Sequence, residues 1–340
     1  MNDNKVSFTP IQDIGFRNLI ERISSMFEKH GQGLIFGIGD DAAVLDKETD
    51  KLVFKSQSYQ EGVHFDLVYT PLQHLGYKVA SLAVSDVVAM NARPKFITIN
   101  LGLTNKISVE MTELFYKGVK AACDEFSLQL TGGDFVPAGS AISVSVSCIG
   151  TSEQPVYRSG AKEGDAICVT GDLGAATCGL MILLREKKHW ESLGGETMKP
   201  DFEEFSYVVE KQLVPKARLD LINSFSQNLV TPHAMIDITK GLNHNLLDLC
   251  NASGVGARIY EAAIPVLPET RAAADELEED IDKFILFGGE DAQLLFTLPE
   301  KEVERFAKAF KDFVVIGKVV NKDEGVKMQT AEGSIMTLHY

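Results

Sequence analysis

Apolar residues recur along the chain with two periods, one typical of helices and one typical of strands. Spacings of three and four residues predict helices, whereas short apolar runs and alternation with polar residues predict strands. Helices are predicted at 13–27, 71–90, 108–126, 175–184, 186–214, 242–250, 272–282 and 300–310, with another after Pro215. Strands are predicted at 34–36, 52–54, 96–103, 128–130, 141–149, 166–170, 235–238, 255–259, 294–297 and 313–319. Helices and strands are mixed throughout, so the pattern predicts an α+β or α/β protein.

A polar, turn-rich segment divides this pattern into two halves. It runs from Thr151 to Gly164 and contains the stretch YRSGAKEGD, which is typical of a boundary between domains. A chain of 340 residues with 45% hydrophobic content is long enough for two domains. We therefore expect an amino-terminal domain at 1–150 and a carboxyl-terminal domain at 151–340, with a ligand between them.

The charge of the chain restricts its partners. It has 48 acidic and 33 basic residues and a formal charge of −15. Such a surface repels nucleic-acid phosphates and anionic lipid, so neither nucleic acid nor a membrane is expected as a partner. A phosphorylated ligand would need metal ions that cancel the local carboxylate charge.

The five cysteines lie inside apolar runs and form no Cys-x-x-Cys pair. They are expected to be small buried thiols of a reducing compartment. The amino terminus lacks a signal pattern and no apolar run reaches the length of a membrane span. We therefore expect a cytoplasmic protein.

Acidic residues follow glycines or end apolar runs at several separate places. They are Asp40 and Asp41 in GIGDDAAV, Asp86 in AVSDVVAM, Asp134 in TGGDF, Asp237 in MIDITKGL, and Glu290 with Asp291 in FGGEDAQLLF. Taken alone, the Asp40-Asp41 pair after Gly-x-Gly is more typical of a solvated turn, whereas Asp86 lies among small apolar residues that disfavour a surface position. The repetition of acidic residues favours a shared site, because carboxylates are the hard oxygen ligands that Mg²⁺ prefers and glycines let a backbone approach a ligand closely.

A further turn, Gly171-Asp172-Leu173-Gly174, joins a predicted strand to a predicted helix. A helix amino terminus after a glycine turn is a potential anion site. The motif is short and common, so it is a weak indication by itself.

The ordered motifs resemble those of the thiamine-monophosphate kinases. They are GIGDDAAV, EGVHFDLVYTPLQHLGYK, SDVVAMNA, GGD, YRSGAK, GDLGAA, D-I-x-x-G-L and GGED. That family shares a superfamily with aminoimidazole ribonucleotide synthetase, selenophosphate synthetase and a hydrogenase maturation factor. The resemblance implies a two-domain aminoimidazole ribonucleotide synthetase-like fold and a homodimer that pairs through the sheets of its amino-terminal domains. It also implies transfer of the γ-phosphoryl group of ATP to thiamine monophosphate, with several Mg²⁺ ions held by aspartates between the domains.

The resemblance also implies roles for individual residues. The metal site would comprise Asp40, Asp41, Ser56, Asp86, Asp134 and Asp237, of which Asp41, Asp86, Asp134 and Asp237 would form the catalytic set. The nucleotide would be contacted by Gly133, Asp134, Arg158 and Thr239, and the substrate by His64 and Glu290. From the residues alone, Arg158 is equally compatible with a salt bridge at the domain boundary, and His64 with an ordinary partly buried histidine.

Several positions depart from the family pattern. Gln57 stands where the pattern has a metal-binding aspartate, and Lys240 stands where it has a further one. Other departures are Ala83 before Ser85-Asp86, Phe135 after GGD, and Ala292-Gln293 after GGED. Three interpretations stay open: an active kinase with altered metal ligands, a paralogue that binds a nucleotide or phosphorylated molecule without transfer, and a kinase or synthetase with another substrate.

Overall fold

The computed structural model describes residues 34–36, 41, 43–45, 51–194 and 202–340. The helix predicted after Asp13 and the predicted metal ligand Asp40 lie outside these residues. The described chain forms two mixed β-sheets with helices against them, so the predicted combination of helices and strands is confirmed.

The first sheet is built from the amino-terminal half of the chain. Its strands are β1 (Leu34–Phe36), β2 (Ala43–Leu45), β3 (Lys51–Gln60), β4 (Arg93–Leu103), β5 (Gln129–Pro137) and β6 (Ser143–Ser152). Their spatial order is β1-β2-β3-β6-β4-β5, and every pair is antiparallel except β4 with β5. On β6 the valines and Cys148 are buried, while Ser143, Ser145 and Ser147 point to the opposite, partly exposed face. That alternation gives the sheet one buried and one open face.

Helices α1 (Leu72–Ala89) and α2 (Val109–Phe126) cover the buried face. They meet at two glycines. A Cβ atom on Gly76 would lie 2.0 Å from the Phe115 carbonyl oxygen, and one on Gly118 would lie 1.8 Å from the Gln73 carbonyl oxygen. The missing side chains therefore let the two backbones touch.

The second sheet is built from the carboxyl-terminal half. Its strands are β7 (Ala166–Thr170), β8 (Ala234–Ile238), β9 (Gly256–Tyr260), β10 (Gln293–Leu298), β11 (Phe313–Val320), β12 (Val326–Gln329) and β13 (Ile335–Thr337), in the order β13-β12-β9-β11-β7-β10-β8. The accompanying helices are α3 (Ala175–Ser192), α4 (Ser206–Leu213), α5 (Leu219–Asn228), α6 (Leu242–Ser253), α7 (Pro268–Glu276), α8 (Ile281–Phe287) and α9 (Glu300–Ala309). Only β9 and β12 run parallel among the described pairs of this sheet.

One hydrophobic core runs through both halves. Cys168, Met235 and Phe296 on one face of the second sheet belong to the same buried cluster as α1 and the first sheet. Residues of the opposite face, such as Ile167 and Ile236, form a separate cluster with α6. The second sheet is thus covered on both sides, and α1 is shared between the two halves.

Two predicted elements differ from the structure. The strand predicted at 128–130 is longer in the structure and continues through Gly133 and Asp134, because this segment pairs in parallel with β4. The close approach needs a glycine, since a Cβ atom on Gly133 would lie 1.9 Å from the Ile99 carbonyl oxygen. The acidic helix predicted at 272–282 is instead the pair α7 and α8, because Asp280 caps a new helix by accepting a hydrogen bond from the Asp282 amide.

Two other expectations concern the cysteines and the presence of a membrane-spanning helix. All five cysteines are buried thiols, as expected. Among the described helices, none is both long and apolar enough to cross a bilayer.

Candidate active site

Three aspartates from distant parts of the chain meet between the sheets. Asp41 precedes β2, Asp86 lies near the end of α1, and Asp237 lies on β8 of the second sheet. All three are buried, and one carboxylate oxygen from each lies within 4.8 Å of those of the other two. We call this group the carboxylate cluster.

Burial and mutual repulsion make these carboxyl groups hard to ionise. Burial, reinforced by the charge of Asp41, raises the pKa of Asp86 to about 7 despite the opposing charge of Lys55. Burial likewise raises the pKa of Asp237, with the charges of Asp86 and Asp41 acting in the same direction. Burial also raises the pKa of Asp41, which Arg158 opposes. A site of this kind favours a bound cation.

Two basic side chains already lie against the carboxylate cluster. Lys55 Nζ on β3 donates to Asp86 Oδ1 at 3.0 Å. Arg158 Nη2 donates to Asp41 Oδ1 at 2.6 Å, and its Nη1 lies 3.5 Å from Asp248 Oδ2 on α6. Burial lowers the pKa of Lys55, but the charges of Asp86 and Asp237 outweigh burial and hold it above its ordinary value.

Neutral groups complete the surroundings of the cluster. Ser85 Oγ donates to Asp237 Oδ2 at 3.2 Å. The hydrogen-bond network orients the Gln57 amide so that its nitrogen donates to Asp86 Oδ2 at 3.2 Å and its oxygen accepts from the Tyr59 hydroxyl at 2.8 Å. Gln57 therefore contacts Asp86 at the position where the family pattern has a carboxylate.

The predicted substrate residue Glu290 lies beside this region. Its Oε2 accepts from Lys78 Nζ on α1 at 2.6 Å, and Lys78 also donates to the Gln212 carbonyl oxygen at 2.9 Å. Burial and the charges of Asp86, Glu290 and Asp237 together raise the pKa of Tyr59 well above its ordinary value. The Tyr59 hydroxyl thus lies in the combined field of Glu290 and the carboxylate cluster.

Other predicted site residues lie elsewhere. Asp134 and Gly133 are exposed on the edge strand β5, where Asp134 Oδ1 accepts from the Phe135 amide. Ser56 points to the open face of the first sheet and accepts from Ser147 Oγ at 2.9 Å. His64 is exposed, and its Nδ1 accepts from the Gln60 amide at 3.0 Å. The structure does not bring these side chains to the carboxylate cluster, and their assigned roles stay predictions.

Thr239 lies two residues after Asp237, and its carbonyl oxygen accepts from the Glu290 amide at 3.2 Å. The neighbouring Lys240 is exposed, and its charge acts on Asp41. The D-I-T-K segment therefore joins the carboxylate cluster to the GGED loop.

The predicted anion site at the amino terminus of α3 is filled by the protein itself. Asp291 Oδ2 accepts from the Gly174 amide at 2.9 Å, and its Oδ1 accepts from the Ala176 amide at 3.0 Å. This buried carboxylate satisfies the free amides of the first helical turn. The expectation that this turn binds an external anion is therefore wrong.

The departures after GGD and GGED lie in different parts of the structure. Gln293 is buried and its Oε1 accepts from Thr170 Oγ1 and Arg218 Nη1, both at 2.8 Å. Phe135 is exposed on β5 and packs edge-on against Tyr116. These residues are parts of separate local structures.

Two functional candidates, Lys55 and Lys78, were not found from the sequence. Lys55 could have been found from alternation: Lys55, Gln57 and Tyr59 occupy one face of β3, but the predicted strand ended at residue 54. Lys78 gave no local signal, since a lysine in a helix is ordinarily exposed.

Comparison with known proteins identifies the family. Models of the AIR synthase related protein match residues 39–152 with the N-terminal domain and 162–329 with the C-terminal domain. Thiamine-monophosphate kinase of Aquifex aeolicus is 34% identical over 316 residues, which cover 93% of this chain and 94% of that protein. The chain belongs to the thiamine-monophosphate kinase family. The enzyme of that name from Bacillus subtilis is 30% identical over 278 residues, covering 81% of each protein.

A solved structure agrees with this assignment. AaThiL complexed with AMPPCP and TMP superposes with a TM-score of 0.81 at 32% identity, covering 96% of this chain and 97% of that one. The predicted family and the two-domain fold are thereby confirmed.

Proposed function

We propose that this protein is an ATP-dependent kinase that transfers the γ-phosphoryl group of ATP to thiamine monophosphate and forms thiamine diphosphate. The carboxylate cluster carries the proposal, because it draws Asp41 and Asp86 from one half and Asp237 from the other into one buried group. The similarity to AaThiL, whose structure contains the ATP analogue AMPPCP and TMP, supports these two substrates. Phosphoryl transfer asks a protein chiefly to position two phosphates and to neutralise their charge.

The carboxylate cluster suits Mg²⁺ in donor type and spacing. Its members are oxygen ligands within 4.8 Å of one another, compatible with a cation whose ligands lie about 2.0–2.1 Å away. We propose that Asp41, Asp86 and Asp237 hold Mg²⁺, which when bound supplies positive charge to the phosphate oxygens. Asp40, Asp134 and Ser56 remain further proposed ligands on the basis of the resemblance.

Arg158 is the proposed phosphate contact of the nucleotide. Its planar guanidinium suits bidentate binding of a phosphate. In the structure it contacts Asp41 and Asp248, so a phosphate that reaches Arg158 competes with those carboxylates. Gly133, Asp134 and Thr239 remain proposed nucleotide contacts.

An apolar cavity is the proposed site of the ring end of thiamine monophosphate. It measures about 490 Å³ and is lined by Leu67, Val68, Tyr69, Pro71, Leu183, Glu186, Lys187, Trp190 and Phe202. The charge of Glu290 acts on Tyr69, which supports a position of the cavity near the proposed substrate contact. His64 lies on the loop that leads into it. Aromatic walls of this kind bind flat rings well.

We also propose the expected domain division and the expected homodimer. The separate family models for 39–152 and 162–329 support a division near residue 150.

The open face of the first sheet supports a homodimer that pairs through that sheet. Small hydroxyl side chains cover this face, and those of Ser58 and Ser145 lie 2.9 Å apart.

The direct test is to incubate the pure protein with Mg²⁺, ATP and thiamine monophosphate and to look for thiamine diphosphate by chromatography. Product that is lost in Asp86→Asn supports the proposal. Absence of product from a folded wild-type protein contradicts it.

A second candidate function is binding without transfer. It is favoured by Gln57, which contacts Asp86 in place of a carboxylate, and by Lys240, which acts on Asp41. In that case Mg²⁺ and ATP raise the melting temperature although no product forms, and Gln57→Asp combined with Lys240→Asp raises turnover. A folded double variant with no gain in product counts against this candidate.

A further inference from the structure

Lys55 is a strand lysine whose side chain is largely buried and points toward the carboxylate cluster. Its side chain is 25% exposed and its ammonium contacts Asp86, whose side chain is 9% exposed. The charges of Asp237 and Asp41 act on the same ammonium. A cation that belongs to the chain itself therefore contacts one member of the carboxylate cluster and lies in the field of the other two.

This contact differs from an ordinary surface salt bridge. Exposed ion pairs have a flexible lysine in high-dielectric surroundings and contribute little. Lys55 instead extends from a strand in the middle of the described sheet order, between β2 and β6, toward carboxylates that have left water. Removal of the ammonium would leave Asp86 without the cation that favours its charged form, beside two other buried carboxyl groups, which is strongly unfavourable.

The position of the ammonium also conflicts with a Mg²⁺ ion bound to the same oxygen of Asp86. Lys55 Nζ lies 3.0 Å from Asp86 Oδ1, whereas a Mg²⁺ ion on that oxygen would lie about 2.0–2.1 Å from it. The two cations would lie within a few ångströms of each other and repel. The chain also carries the neutral Gln57 and the cationic Lys240 where the family pattern has carboxylates. Each of these two replacements makes the local charge less negative.

We propose that Lys55 is a built-in counter-ion of the carboxylate cluster, which takes the place of one divalent cation and holds Asp86 and Asp237 together without metal. The assignment of the cluster as a magnesium site rests on the proposed function. Lys55 is accordingly a positioning residue, and the free protein binds divalent ions weakly at this site.

The test measures metal binding and melting temperature without any nucleotide or thiamine phosphate. Mn²⁺ is titrated by electron paramagnetic resonance, and melting is followed in EDTA and in Mg²⁺. The variants are Lys55→Met, which removes the charge at similar length, and Lys55→Arg, which keeps the charge. Lys51→Met is the matched control, because Lys51 lies on the same face of β3 but contacts the Glu153 carbonyl oxygen instead of the cluster.

The wild-type protein, Lys55→Arg and Lys51→Met are expected to melt at nearly the same temperature in EDTA and in Mg²⁺. Lys55→Met is expected to melt several degrees lower in EDTA, to recover in Mg²⁺, and to bind Mn²⁺ at least about tenfold more tightly than the wild type. Equal Mn²⁺ affinity in the wild type and in Lys55→Met would overturn the proposal.

If Lys55→Met does not fold in either buffer, Mn²⁺ binding to the wild type and to Asp86→Asn tests the proposal instead. A tight Mn²⁺ site in the wild type that Asp86→Asn removes overturns the proposal, and weak binding in both supports it. Because no substrate is present, these outcomes are independent of the kinase assay. A protein that forms no thiamine diphosphate can still confirm or refute the role of Lys55.

Discussion

Lys78 and Glu290 link the first half of the molecule to the second. Lys78 Nζ lies 2.6 Å from Glu290 Oε2, and the lysine side chain is 5% exposed. The lysine belongs to α1 and the glutamate to the loop before β10. A buried cation thus joins the shared helix to the GGED motif.

We expect Lys78→Met to lower the free energy of unfolding by about 2 kcal/mol, because it leaves a partly buried carboxylate without its cation. Urea unfolding measures the loss. Lys216→Met is the control, since Lys216 is largely exposed in its pair with Glu125, and we expect it to change stability by at most about 0.5 kcal/mol. Equal losses in the two variants would contradict the assigned importance of the Lys78 pair.

Gly76→Ala is expected to destabilise the protein by about 1–3 kcal/mol, because the new methyl group would overlap the Phe115 carbonyl of α2. Thermal and urea unfolding measure the change. Gly139→Ala is the matched control, since a Cβ atom there has no other atom within 4 Å. A neutral or stabilising Gly76→Ala would show that the two helices can separate without cost.

Asp291 is expected to make stability depend on pH. Burial raises its pKa from 3.8 to about 7, although the Gly174 and Ala176 amides oppose the shift. Between these pH values the unfolded chain has released the proton that the folded protein retains. This contribution therefore makes the folded state less stable as pH rises from about 4 to about 7, by at most about 1.4 kcal/mol per pH unit.

Asp291→Asn lacks this titration. Urea unfolding in EDTA at several pH values should show that the stability of the wild type relative to the variant falls over that range. The aspartates of the carboxylate cluster titrate in both proteins and cancel in the difference. Parallel pH profiles would mean that Asp291 is ionised in the folded protein at low pH.

If the cavity binds thiamine monophosphate as proposed, Trp190→Ala is expected to raise the KM for it about tenfold and to leave kcat nearly unchanged, because the variant would lack ring contacts that substrate and transition state share. Steady-state kinetics measure both constants. Lys188→Ala is the control, since Lys188 is exposed on the same helix and is not among the cavity residues. A fall in kcat at constant KM would contradict the proposal that this cavity binds the ring of thiamine monophosphate.

The sequence was most informative where structure depends on near neighbours. Strands β1 and β7 begin and end where the apolar runs do, because a short apolar run favours a strand that packs against a core. The acidic motifs likewise indicated Asp41, Asp86 and Asp237, although their meeting depends on how the two sheets pack.

The sequence was least informative where contacts between residues far apart in the chain determine the structure. Lys55 and Asp86 are 31 positions apart, and Gly174 and Asp291 are 117 apart. The continuation of β5 through Gly133 depends on its pairing with β4. Local periodicity contains no information about such partners.

The continuous core has a practical consequence for experiments that divide the molecule. A fragment that ends near residue 150 would leave α1 without the apolar face of the second sheet, and the complementary fragment would expose Met235 and Phe296 to water. Both fragments would then carry large uncovered apolar surfaces of the kind that drives aggregation. The two halves should therefore be soluble only when they are made together, and mixing separately purified halves should not restore the protein.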